Sequence, residues 1–141
     1  MFEQLHPEIL TSALVAITIL VGIITTGSGP HAGDSGASRN GLDSELLQHV
    51  HSWPAYATVA ATVLLLIGAL RLEQPRLARF TGILLAIEAV QVAVGLAQAR
   101  LGLPEILVGA HMVLACCLAA AMTAVVLSLR EPVASAVDAE K

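Results

Sequence analysis

Two histidines stand inside stretches of chain that are otherwise apolar, and their spacing sets up a chemistry. His51 lies seven residues beyond Ser44, a helix-cap residue by type, and His111 lies seven residues beyond Pro104, a residue suited to a first helical turn. At about 1.5 Å of rise per residue, both imidazoles sit roughly 10 Å inside the same end of their helices. If those helices run in the same direction and face each other across a bundle, the pair can hold a flat group between them, as axial histidines grip a heme iron from both faces. Other roles fit the same residues. An intramembrane histidine can bond a backbone carbonyl, relay a proton or line a quinone pocket, and spacing alone does not choose.

The remaining polar residues divide into a stripe and a set of outliers. Glu88, Gln91, Gly95 and Gln98 recur at spacings of three and four, which places them on one helix face. A mid-membrane glutamate is costly, so Glu88 is expected to be protonated, paired or functional: either an interhelical packing bond or a group for proton handling or cofactor contact. Gln91 and Gln98 are candidate pocket contacts on that stripe. His49 is two residues before His51, about 200° around the helix, which points to an interfacial role. His6 reads as a surface group. His31 lies in the glycine-rich stretch TTGSGPHAGD (25–34), where it is either a solvated loop residue or a contact to a cofactor edge. Trp53 and Tyr56 suit an interfacial aromatic belt, or else the border of a bound macrocycle. Pro54 denies the Val50 carbonyl its helical partner and is expected to bend the helix just past His51. Cys116 and Cys117 are adjacent, form no CxxC or CxxCH motif, and are expected to be packing residues.

These side chains need elements to carry them, and composition names the kind. The 141 residues are 56% hydrophobic and 13% charged, with a net charge of −4, outside the usual range for a soluble domain. A spanning helix needs roughly 20 mainly apolar residues, and four such runs occur, at about 9–26, 46–70, 77–98 and 105–129. Long charge-free runs rich in Ala and Leu, without ten-residue alternation, exclude a β-barrel. The second and third connections are short, so neighbouring helices should be antiparallel. The expected fold is all-α: a single integral-membrane, four-helix up-down bundle in a lipid bilayer, with an outer loop at 27–43 and a polar tail at 130–141.

Orientation follows from Lys and Arg. Arg71, Arg76 and Arg79 crowd the second connection, and Arg130 and Lys141 follow the last span, against only Arg39 and Arg100 on the other side. Both termini are therefore expected in the cytoplasm of a multi-pass cell-membrane protein. The opening MFEQLHPEIL has no positive charge and precedes a span too long for a signal peptide, so no cleaved segment is expected. No basic patch suggests nucleic acid.

Two strings carry a more specific signal. TGSGPHAGD (26–34), followed by Arg39 and by His51 on the next helix, resembles the C-terminal four-helix half of actinobacterial heme A synthases. GLPEILVGAHM (102–112) resembles the last outer loop and helix of the same half, and Gln91, Gly95 and Gln98 fall on its Gln and Gly pattern. The resemblance covers nearly the whole chain. It implies a family of eight spanning helices in two similar halves, each with a histidine pair on its second and fourth helices. That family oxidises a methyl group of heme O to the formyl group of heme A for terminal oxidases, and its second half holds a heme b. Carried onto this chain, the resemblance makes His51 and His111 the axial ligands of the heme iron and GSGPHAGD (27–34) an outer loop folding over the heme pocket. It also implies heme O and heme A as substrate and product, and a heme O synthase as a partner.

The chain departs from that pattern in two places. It has half the family's length, which implies either a homodimer or a complementary heme A synthase half. The family's catalytic half has a glutamate three positions before the ligand histidine of its second helix and often an arginine just after it, where this chain has Gln48 and Ser52. An amide cannot exchange a proton as a carboxylate does. The sequence thus leaves three roles open: a heme A synthase-like oxidoreductase half, a non-catalytic heme b cytochrome for electron transfer, and a heme-free assembly or packing protein.

Overall fold

The computed structural model is all-α and describes residues 7–32, 36 and 38–129. The expectations for His6, Arg130, Lys141 and the rest of the tail lie outside the described residues. Four helices follow in order: α1 (Pro7–Ser28), α2 (Ser44–Arg71), α3 (Pro75–Arg100) and α4 (Glu105–Ser128). Each is long and apolar enough to cross a membrane.

Most helix ends extend one or two residues beyond the apolar runs, because capping continues the hydrogen bonding into the polar flanks. At the start of α2 the cap is Asp43 and not Ser44: its carboxylate accepts from the Glu45 and Leu46 amides at 2.9 and 3.0 Å, and Ser44 is the first helical residue. A carboxylate at that position satisfies two of the amides a helix start leaves open and complements its positive dipole end. Pro75 opens α3, where its missing amide costs nothing. Pro104 is the residue just before α4, one place earlier than a first-turn position. The α3–α4 turn closes through Gly102 and Leu103, both at positive φ (75° and 59°), with the Leu103 amide donating to the Gln98 carbonyl at 2.8 Å. α2 runs unbroken through Pro54, and the Thr58 hydroxyl donates to the Pro54 carbonyl at 2.8 Å.

Around the bundle the order is α1, α2, α3, α4. α1 packs most closely on α2 and α3 on α4, the other two seams are looser, and α2 and α4 stand on a diagonal. The apolar core occupies only the half nearer the α2–α3 turn, where Val15, Leu65, Leu77, Leu84, Leu118, Met122 and Val125 form one cluster. With no hydrophobic force between helices in lipid, this cluster holds by close packing and dispersion. Hydroxyl contacts supplement it: Thr18 and Thr58 share a buried hydrogen bond of 2.9 Å between α1 and α2. Cys116 and Cys117 are not part of the packed interior. Both are exposed on the outward surface of α4, because the inward face of that helix is set by Leu118, Met122 and Val125. Trp53 and Tyr56 also turn outward, 72% and 59% exposed, and His49 is exposed.

Candidate functional site

The other half of the bundle, beneath the α3–α4 turn and the loop residues that include His31 and Asn40, has a polar interior. His51 from α2 and His111 from α4 meet there across the diagonal, with ring centroids 6.3 Å apart and ring planes at 77°. Both are half-buried. The Nδ1 atom of each is buried without a hydrogen-bond partner of full geometry among the described residues.

Each ring rests on the first helix of a hairpin, and the two supports are alike. His51 lies beside the Thr18 backbone carbonyl of α1, and His111 beside the Gln91 backbone carbonyl of α3. Four residues after each carbonyl comes a glycine. A Cβ on Gly22 would lie 3.0 Å from His51 Cε1, and one on Gly95 would lie 3.3 Å from His111 Cε1. Positions four apart on a helix share a face, so each pair offers a backbone carbonyl beside the ring and a bare backbone for the ring edge to rest against. A backbone carbonyl near Nδ1 is the usual device for fixing which imidazole nitrogen carries the proton, leaving Nε2 as the ligating atom.

The α3 stripe serves this chamber. Gln91 donates through Nε2 to the His111 backbone carbonyl at 3.1 Å, tying α3 to α4 at the level of the imidazole, while its Oε1 is buried and unpartnered among the described residues. Gln98 Oε1 is in the same condition. One turn deeper than Gln91, Glu88 is 3% exposed and its Oε1 accepts a 2.7 Å hydrogen bond from the Thr62 hydroxyl of α2.

His31 keeps 30% of its side chain exposed and is bound to the α3–α4 turn. Its Nε2–H donates to the Leu103 carbonyl at 2.7 Å, and Nδ1 lies 3.7 Å from the exposed Glu105 carboxylate. Leu103 is one of the two positive-φ residues of the α3–α4 turn, so a backbone conformation few leucines adopt presents this acceptor. The histidine thereby latches the first loop onto the last turn. Asn40 holds the base of the same loop, donating to the Ile24 carbonyl at 3.0 Å. Beneath the latch is a cavity of about 50 Å³, lined by His31, Gln48, Gln98, Thr25, Leu103 and Val108 among others. Its lining mixes polar groups with apolar Leu103, Val108 and Pro30. Gln48 donates to the Ser44 carbonyl at 3.2 Å.

Thr18, Gly22 and Thr62 are site residues that the sequence reading passed over. A usable signal for the first two existed, since a glycine four places after a polar residue occurs in both the first and third spans, at 18/22 and 91/95. Nothing local marks Thr62, because a threonine among apolar residues is ordinary in a spanning helix.

The donor set narrows the ligands. Among the described residues no group of three or more His, Cys, Asp or Glu could hold a metal ion, so the pair supplies two nitrogens and no third donor. A bare zinc ion needs four ligands, whereas a macrocycle brings four nitrogens of its own and asks the protein only for axial ones. No protein family, curated protein or solved structure matches the chain.

Proposed function

We propose that this chain is a heme-binding membrane unit of the heme A synthase kind, with His51 and His111 as axial ligands and a part in converting heme O to heme A. The observation that carries the reading is the 6.3 Å between imidazole centroids. Two metal–nitrogen bonds of about 2.0–2.1 Å, plus about 1.1 Å from each nitrogen to its ring centre, require roughly 6.2–6.4 Å. A direct imidazole–imidazole hydrogen bond would bring the centres to about 5 Å. The glycine cradles against which the two ring edges rest are consistent support for such ligands. A heme held there supplies a one-electron iron couple. The mouth cavity beneath His31 is far smaller than a macrocycle, so entry by that route would have to lift the His31 latch.

In this reading the loop end faces outward and both termini the cytoplasm, as the placement of Arg and Lys favours. A second role, a heme b unit for electron transfer, is favoured by Gln48: it lines the mouth cavity where the family's catalytic half has a carboxylate. Methyl oxidation would then fall to a second copy or a complementary half. The deciding experiment is an absorption spectrum and pyridine-hemochrome assay on detergent-purified protein, expressed with and without a heme O synthase. A low-spin heme b in both hosts supports the electron-transfer role, and formation of heme A supports synthesis by this chain. His51→Ala or His111→Ala should abolish or severely weaken heme binding, and His49→Ala should leave it intact. Colourless wild-type protein would sink the proposal.

A further inference from the structure

We infer that Glu88 is a redox-linked proton site: its carboxylate takes up one proton for each electron the histidine site accepts, returns it on oxidation, and exchanges only with the loop end of the bundle. The inference rests on the heme reading and gives work to a residue that reading leaves unused.

Glu88 is a buried carboxyl satisfied on one side only. Oε1 accepts from Thr62 at 2.7 Å, while Oε2 is buried and has no hydrogen-bond partner among the described residues. No cation faces it. The described arginines of α2 and α3 lie at the helix ends, α1 offers no titratable side chain at this level, and on α2 and α4 Tyr56, Cys116 and Cys117 are exposed on the outside. The titratable groups that face the chamber from the packed helices are therefore His51 and His111.

An isolated buried carboxylate is strongly disfavoured, and an opposite charge is what permits it. With two neutral imidazoles and a dianionic macrocycle, a ferric centre carries one net positive charge and a ferrous centre none. The carboxylate has a counter-charge in the oxidised state and loses it on reduction. In balance, one electron passes from a reductant (a quinol, or dithionite in vitro) to the iron. One proton passes from hydronium in the water at the loop end to Glu88 Oε2, where one O–H bond forms as one in hydronium breaks; a quinol reductant releases its own protons to solvent, and dithionite carries none.

The surroundings make the exchange one-sided. On the same α3 face, Gln91 and Gln98 each present a buried, unpartnered Oε1, and Gln98 lines the mouth cavity about 15 Å of helix rise from Glu88. On that side the interior therefore presents unsatisfied hydrogen-bond acceptors to a proton carrier entering from the mouth. On the other side the interior closes on Leu84 and Val125, both 0% exposed, with Leu65 and Met122 packed around them.

The test is a potentiometric titration of heme-loaded wild type and Glu88→Gln across a pH series, with reduced-minus-oxidised infrared spectra of both. Gln can still accept from Thr62, so heme content should match. Wild-type potential should fall tenfold in equilibrium constant per pH unit, about 59 mV for a one-electron couple, and the variant should stay flat. A carboxylic-acid C=O band that shifts in D2O should appear on reduction of wild type and be absent from the variant. Equal slopes, a flat wild type or a band that persists in the variant would overturn the inference. Should the variant lose its heme, wild-type infrared decides alone: no acid band on reduction means no proton at Glu88. A colourless wild type refutes the heme reading and this inference with it, whereas a red protein with equal slopes refutes only this one.

Discussion

Replacing Gly22 by Ala tests the site without touching a ligand. The added Cβ would stand 3.0 Å from His51 Cε1, where ordinary contact is 3.4–4 Å, so the ring must yield by about 0.4–1 Å. Ligand geometry is held to about 0.5 Å in working metal sites, which puts the displacement at or past tolerance. Overpacking of this sort costs about 1–3 kcal/mol, equivalent to roughly 5- to 150-fold in affinity. Gly95→Ala meets His111 Cε1 at 3.3 Å, and relief by a few tenths of an ångström should limit the loss to about fivefold or less. Gly68 and Gly82 are the controls: a Cβ there meets nothing within 4 Å, and alanine favours the helix by up to about 1 kcal/mol. The assay is heme per protein by pyridine hemochrome, followed by hemin titration of the apoprotein in detergent. The expected order of affinities is Gly68→Ala and Gly82→Ala like wild type, then Gly95→Ala, then Gly22→Ala. If Gly22→Ala bound heme as tightly as Gly68→Ala, the cradle argument would be wrong.

Other perturbations separate the latch and the core from the ligands. His31→Ala removes the 2.7 Å bond to the Leu103 carbonyl, worth about 0.5–1.5 kcal/mol. It should speed both heme uptake and heme loss by roughly 2- to 10-fold in stopped-flow transfer to apomyoglobin, with the spectrum unchanged; unchanged rates would mean that entry does not use the loop. Leu84→Ala opens a void in the fully buried cluster. Because lipid solvates the side chain in the unfolded state, the loss should fall near the lower end of the usual range, about 2 kcal/mol, seen as reduced thermal stability at full heme stoichiometry.

How much of this was legible in the sequence depended on whether the signal was local. Spans could be read because hydrocarbon demands about 20 apolar residues in a row, and the short connections made neighbours antiparallel. His51 and His111 were visible as paired residues because similar distances from two helix starts, seven residues from Ser44 and six from Glu105, survive folding as similar depth. Cap identity was less secure: Asp43 and Ser44 are adjacent cap formers, and only the amides that Asp43 reaches decide between them. Inward and outward faces were harder still. In a bilayer both faces of a helix are apolar, so nothing in the type of Cys116 and Cys117 distinguishes lipid contact from packing, and that choice is made by Leu118, Met122 and Val125 turning inward.

Contacts between distant segments left the weakest trace. His31 finds Leu103 across 72 positions and Glu88 finds Thr62 across 26; the polar residues in these pairs were conspicuous, but their partners were not. What the fold adds is a division of the interior. Packing is concentrated in the half around Leu84 and Val125, which leaves the half around His51 and His111 free to be lined with glycine, glutamine and backbone carbonyl. A bundle packed with leucine along its whole length would hold together as well, but it would have no place for two imidazoles 6.3 Å apart.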